Sequence, residues 1–207
     1  MISGVEVVLA SGSPRRAQLL RALGVDFQIM PAPVSEDVDE VTAPDRVVEQ
    51  LALRKATSIA RARPEALVIG ADTIVMLGDT LLGKPRTPRE AEAMLNRLSG
   101  RRHVVYTGVA VVHQGTNRAV VAHETTQVSF APITPDEIRA YVAGGSPMDK
   151  AGSYGIQEDL GAVFVSGIEG DFYNVMGLPV HRLYRLLKAD FPEFVSLRSR
   201  LETSSGS

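Results

Sequence analysis

Residues 5–24 read VEVVLASGSPRRAQLLRALG, and the order of residue types in this stretch decides the fold class. VEVVLA (5–10) is short, apolar and rich in β-branched residues, as a buried strand is. Ser11-Gly12-Ser13 breaks it. Ser13 then suits a helix N-cap, Pro14 the first helical position and Gly24 the position just past the end. Between them Ala17, Leu20 and Leu23 share one face, with Leu19 beside them. Strand, tight loop and helix in immediate succession point to an α/β chain.

The same stretch poses an electrostatic question. Arg15 and Arg16 fall in the first turn, where the helix dipole is already positive and basic side chains are mildly unfavourable. Backbone N–H groups at such a turn form an anion site. Ser11 and Ser13 add hydroxyl donors, Gly12 permits close approach, and arginine supplies a bidentate fork for phosphate oxygens. A bound polyphosphate accounts for both arginines. Two solvated surface arginines on an ordinary helix are the alternative.

The rest of the chain alternates. Residues 45–62 predict an amphipathic helix with Val48, Leu51 and Ile59 inward. ALVIGADTIVML (66–77) predicts a buried strand interrupted by Asp72 and Thr73. Residues 87–100 predict a helix with a Thr87/Glu90 capping box, and 134–145 repeats the Thr-Pro-x-Glu start. Residues 104–113 and 119–130 predict a hairpin closed by QGTN. A strand over 162–168 and a helix over 178–189 follow. A hairpin within an alternating pattern predicts an α/β fold with a mixed twisted sheet and flanking helices. The expected organisation is one two-lobed domain over 1–195 with a central cleft, then a polar tail over 196–207.

Composition narrows the function. The chain has 207 residues and a net charge of −2, with 22% charged and 5% aromatic residues. Bulk basicity gives no reason to expect nucleic acid, so any anion site must be a local cluster. Lysine occurs only at 55, 84, 150 and 188. The absence of cysteine excludes disulfides, thiolate metal sites and a thiol nucleophile. No apolar run spans a bilayer and no basic leader precedes the first strand, so a cytoplasmic protein is expected.

Several residues could carry chemistry. Apolar neighbours flank Asp72, and a carboxylate in a buried strand is costly unless it is paired or coordinates a metal. It either reaches a cleft, where it could act as a base near Mg²⁺, or pairs with an arginine. SEDVDE (35–40) is either a solvated loop or the source of one metal-ligating carboxylate. GDTLLGKP (78–85) imitates a phosphate loop, but Pro85 stands where a Ser or Thr should be, and LGDT reads as a hairpin turn. Lys84 remains a candidate phosphate ligand. DKAGSYGIQ (149–157) is a polar loop in which the Gln157 amide could read a base edge. His103, His113, His123 and His181 lack metal-like spacing and read as ordinary surface residues.

Taken together, SGSPRRAQLL (11–20), GADTIV (70–75), GKP (83–85), SGRRHVVYTGVAV (99–111), DKAGSYGIQ (149–157) and GDFYNVMGLP (170–179) resemble the Maf family of nucleoside triphosphate pyrophosphatases. The resemblance runs in order from about Val5 to Leu187. It implies two lobes around a cleft and hydrolysis between the α- and β-phosphates, giving a monophosphate and pyrophosphate. It also implies a divalent cation, Mg²⁺ or Mn²⁺. It makes Asp72 the proton acceptor and places the metal on Glu36 and Asp72. Ser11, Arg16, Lys55 and Lys84 would then contact phosphates. Three positions divide the family by substrate. Arg15, Thr73 and Gln157 match the branch similar to enzymes acting on dTTP, UTP and modified pyrimidine nucleotides, whereas the 7-methyl-GTP branch has Trp, Gln and Glu there. Gln18 departs from the glutamate the family often carries. The resemblance further implies a homodimer, and it leaves a nucleotide-sensing division regulator with little turnover as the alternative.

Overall fold

The computed structural model describes residues 1–35 and 43–196. SEDVDE beyond Ser35, including Glu36, lies outside them, as does nearly all of the predicted tail. The opening stretch folds as read: β1 is Val7–Leu9 and α1 is Pro14–Ala22. Ser13 holds the N-cap position, but its side chain makes no capping bond. A two-residue strand, β2 (Gln28–Ile29), precedes α2 (Pro44–Ala62). Then come β3 (Leu67–Leu77), β4 (Thr80–Leu82) and α3 (Pro88–Leu98). The LGDT turn joins β3 to β4 with Gly78 at φ 57°, so the phosphate-loop imitation is a hairpin.

The predicted hairpin is β5 (Arg102–His113) and β6 (Arg118–Phe130). Helix α4 (Pro135–Ala143) has a complete Thr134/Glu137 capping box. In α3 only half of it forms: Thr87 caps the Glu90 N–H, while the Glu90 carboxylate accepts from the Arg86 N–H. The strand expected over 162–168 is corrected. Its first residues belong to a short helix, α5 (Asp159–Phe164), and β7 covers Val165–Glu169. Periodicity cannot separate these states in so short an apolar run. The helical turn buries Phe164 against Phe130 and Tyr141. Helices α6 (Phe172–Met176) and α7 (Val180–Asp190) complete the chain.

The strands form one seven-stranded mixed sheet in the order β2-β1-β3-β5-β6-β7, with β4 also on β3. β1 is parallel to β2 and β3, and the other pairings are antiparallel. The larger core joins one face of the sheet to α1, α3, α4 and α7. Helix α2 covers the other face. Among the described residues no helix is long and apolar enough to cross a membrane.

The contact between α2 and the sheet is unusually close, and composition explains it. Val48, Ala52 and Ala56, at i, i+4 spacing, put one ridge of α2 on β3 and β5. Beneath it lie Gly70 and Gly108. A Cβ at Gly70 would fall 2.4 Å from the Ala52 carbonyl oxygen, and one at Gly108 only 2.1 Å from that of Val48. Neither glycine can be replaced unless the helix backbone lifts.

Gly108→Ala is therefore expected to lose about 3 kcal/mol of stability, read from chemical denaturation. Gly167→Ala on β7, where a Cβ meets open space, should stay within about 0.5 kcal/mol.

Candidate active site

Strand β3 has one complete edge and one interrupted edge. β5 runs along the first from Val68 to Met76. On the other, β1 pairs with Leu67–Ile69 and β4 with Val75–Leu77. Among the described residues, 70–74 have no strand partner there. Side chains from both faces of β3 reach this gap. It opens into a cavity of about 630 Å³ lined by the Ser11–Arg16 turn, Asp72, Thr73, Lys84 and the 149–157 loop.

Asp72 faces α2. Its Oδ1 lies 2.5 Å from Lys55 Nζ, and both residues are buried. The alternative in which an arginine neutralises Asp72 is thus replaced by a lysine. The reason is local: the glycines under α2 bring its backbone low enough for a lysine one turn beyond Leu51 to reach the strand. Removing either member of such a pair strands a buried charge.

Ser11 is buried at the cleft wall. Its Oγ accepts from Arg16 Nη1 at 3.0 Å and from the Ser13 N–H at 3.3 Å. With both lone pairs engaged, it has only its proton to offer a ligand. Arg16 also donates from Nε to the Gly177 carbonyl oxygen (2.7 Å) and from Nη2 to Thr73 Oγ1 (3.1 Å). Ser13 is partly exposed at the mouth, and Lys84 is exposed on the rim. Gly83, beside Lys84, accepts from the Gly152 N–H, which ties the β4 end to the 149–157 loop.

Arg15 spans the opening to Asp149, with Nη1 2.8 Å from Oδ2. Asp149 also accepts from Lys150, a buried lysine whose Nζ lies 2.6 Å from Glu158 as well. Burial works against the Asp149 charge, but the bonds from Lys150 and Arg15 outweigh it and hold its carboxyl below the usual range. Burial likewise opposes the Lys150 charge, and Asp149 and Glu158 together hold its ammonium above its ordinary value. Gln157 lines the cavity with its Oε1 buried and unpartnered.

Every described site residue expected from sequence, Lys55 included, lines one cavity. Sequence reasoning passed over Asp149 and the buried role of Lys150, whose adjacent opposite charges were the available signal. It also misjudged two histidines. His103 and His113 are buried, because β5 is an inner strand covered on both faces. His103 Nε2 lies 2.8 Å from Tyr154 Oη, on the wall of the cleft. Burial lowers the His103 pKa to about 4 and raises that of the Tyr154 phenol.

Residues 6–190 match the family described as Maf-like protein. This chain belongs to the Maf family. The dTTP/UTP pyrophosphatase of Salinibacter ruber is 49% identical over 93% of this chain and 95% of its own length. That of Moorella thermoacetica is 51% identical over 88% of this chain and 93% of its own. Among solved structures, the Staphylococcus aureus Ham1 protein covers 61% of this Maf-family chain and 72% of its own, at 19% identity and a TM-score of 0.42.

Whether the site suits a divalent cation is a question of donors. Among the described residues no three His, Cys, Asp or Glu side chains converge as a metal cage. Mg²⁺ does not need one, because it takes one or two carboxylates together with substrate phosphates and water. Asp72, with Oδ1 on Lys55 and its carboxylate on the cleft, fits that mode.

His103 stays neutral when folded and takes a proton near pH 6.5 when unfolded, so its contribution is complete above about 6.5 and is lost as pH falls toward 4. A shift of that size is worth about 3 kcal/mol. His103→Gln should flatten the stability profile between pH 7 and 4.5, read by denaturant titration at each pH.

Proposed function

We propose that this chain is a cytoplasmic nucleoside triphosphate pyrophosphatase that hydrolyses dTTP and UTP to the monophosphate and pyrophosphate. The observation that carries the reading is the Asp72 carboxylate at the unpaired edge of β3, held by Lys55 within a wall of phosphate-binding groups. The curated relatives named dTTP/UTP pyrophosphatase support the substrate class.

The triphosphate lies along the Ser11–Arg16 turn. Ser11 Oγ donates its one free proton to a phosphate oxygen, Ser13 adds a second hydroxyl, and the first-turn N–H groups of α1 face the same charge. Lys84 on the rim and Arg15 at the mouth neutralise the outer phosphates, which exchanges Asp149 for the substrate as a partner of Arg15. Asp72 accepts the proton of the attacking water. The bond from the α-phosphorus to the bridging oxygen breaks, and pyrophosphate leaves with the electron pair. Lys55 keeps the Asp72 carboxylate aimed at the gap and offsets its charge beside the phosphates. A divalent cation bound by Asp72 and Glu36 would neutralise phosphate charge and orient the water. The base sits toward Thr73 and Gln157, and the Gln157 amide can complement an imide edge.

A pyrophosphate-release assay over canonical and modified triphosphates with Mg²⁺ tests the proposal. UTP and dTTP should be the preferred substrates. Asp72→Asn should lower kcat by about 10²–10⁴-fold with the thermal transition still cooperative. Full turnover in that variant removes Asp72 as the base. Release confined to 7-methyl-GTP overturns the substrate class, and nucleotide binding without release favours a sensor.

A further inference from the structure

The rings of His103, Phe130 and Tyr154 pack together behind the cleft wall. Each meets the other two edge to face, with His103–Phe130, His103–Tyr154 and Phe130–Tyr154 centroids 5.0, 5.3 and 4.7 Å apart. His103 and Tyr154 are buried, and His103 Nε2 lies 2.8 Å from Tyr154 Oη. The direction of this bond follows by exclusion. Burial keeps the imidazole neutral and the phenol protonated, so each side chain brings one proton. His103 Nδ1 is buried without a partner among the described residues. If Nε2 donated to Tyr154, the phenol proton and the Nδ1 lone pair would both be buried and unpaired. If the phenol donates to Nε2, only the Nδ1 proton is left over. Each unpaired buried polar group is costly, so Tyr154 is the donor and His103 carries its proton on Nδ1.

The bond holds a segment whose backbone does not hold itself. Gly152 and Ser153, which precede Tyr154, are both left-handed, at φ 70° and 65°, and the Ser153 side chain disfavours that region. Contacts from outside the segment keep it there. The Gly152 N–H donates to the Gly83 carbonyl oxygen at 3.1 Å, Ser153 Oγ donates to Met94 Sδ at 3.1 Å, and the Gly155 N–H donates to Tyr141 Oη at 3.1 Å. Of these contacts, only the one to His103 ties the segment to an inner strand of the sheet, β5. Asp149, Lys150 and Gln157, on either side of it, line the cavity. We infer that His103 is a positioning residue for the nucleotide: through Tyr154 it fixes the 149–157 loop against the cleft, without itself touching the substrate. The inference rests on the triphosphate reading and deepens it.

The test is kcat and KM for UTP, with melting temperatures, in the wild type, Tyr154→Phe, His103→Leu, the double variant and His103→Gln. Tyr154→Phe should raise KM about fivefold and leave kcat within about twofold. His103→Leu should raise KM further, because it leaves the phenol proton buried without an acceptor. Adding Tyr154→Phe to it should bring KM back to that of Tyr154→Phe alone. His103→Gln, whose amide oxygen still accepts, should stay near the wild type. A purely structural role would lower melting temperatures and leave KM unchanged, which overturns the inference. If His103→Leu does not fold, Tyr154→Phe decides by the same criterion. Nitrogen NMR of the wild type should find the His103 proton on Nδ1, and a proton on Nε2 overturns the assignment of Tyr154 as the donor. A wild type that hydrolyses neither UTP nor dTTP sinks the proposed function, whereas an active wild type whose variants keep its KM sinks this inference alone.

Discussion

The approach of α2 to β3 and β5 is the constraint on which the site depends. Two glycines and an alanine-lined ridge let helix and strand backbones come closer than side chains ordinarily permit. That closeness is what seats Lys55 on Asp72. A helix carried a residue's width higher would leave the carboxylate buried without its counter-charge, at a cost of several kcal/mol. The packing at this contact and the electrostatics of the pair are one arrangement.

A second constraint is the broken edge of β3. Two neighbours share that edge, and neither reaches residues 70–74. Among the described residues that edge is left open in mid-sheet, which exposes side chains of both faces to one opening. Asp72 belongs to the α2 side and Thr73 to the α1 side, yet both line the same cavity. The arrangement separates chemistry from recognition within a single dipeptide.

The polar groups around the opening are assigned by exclusion. A hydroxyl that accepts twice can only donate. Ser11 is left as a donor because Arg16 and the Ser13 N–H take both its lone pairs, and Tyr154 is a donor because His103 is its acceptor. A flexible hydroxyl would serve either sense. The bonded groups behind it remove that freedom.

The sequence by itself determined the α/β class, the order of the longer elements and the turn that gathers Ser11, Arg15 and Arg16. Those depend on short-range periodicity, on Gly and Pro, and on capping chemistry. Asp72 was legible because a carboxylate between apolar residues has few tolerable environments. Only the tertiary structure decided its partner, because Lys55 meets it through backbone packing that no local pattern encodes. The same holds for the Arg15–Asp149 pair, 134 positions apart, and for the burial of His103, which follows from the inner place of β5 in the sheet. Tyr154 gave no local signal of its partner, since a buried phenol acquires meaning from the direction of its hydrogen bond. The helix over 159–164 escaped notice for a related reason: the state of so short a segment is settled by what Phe164 packs against.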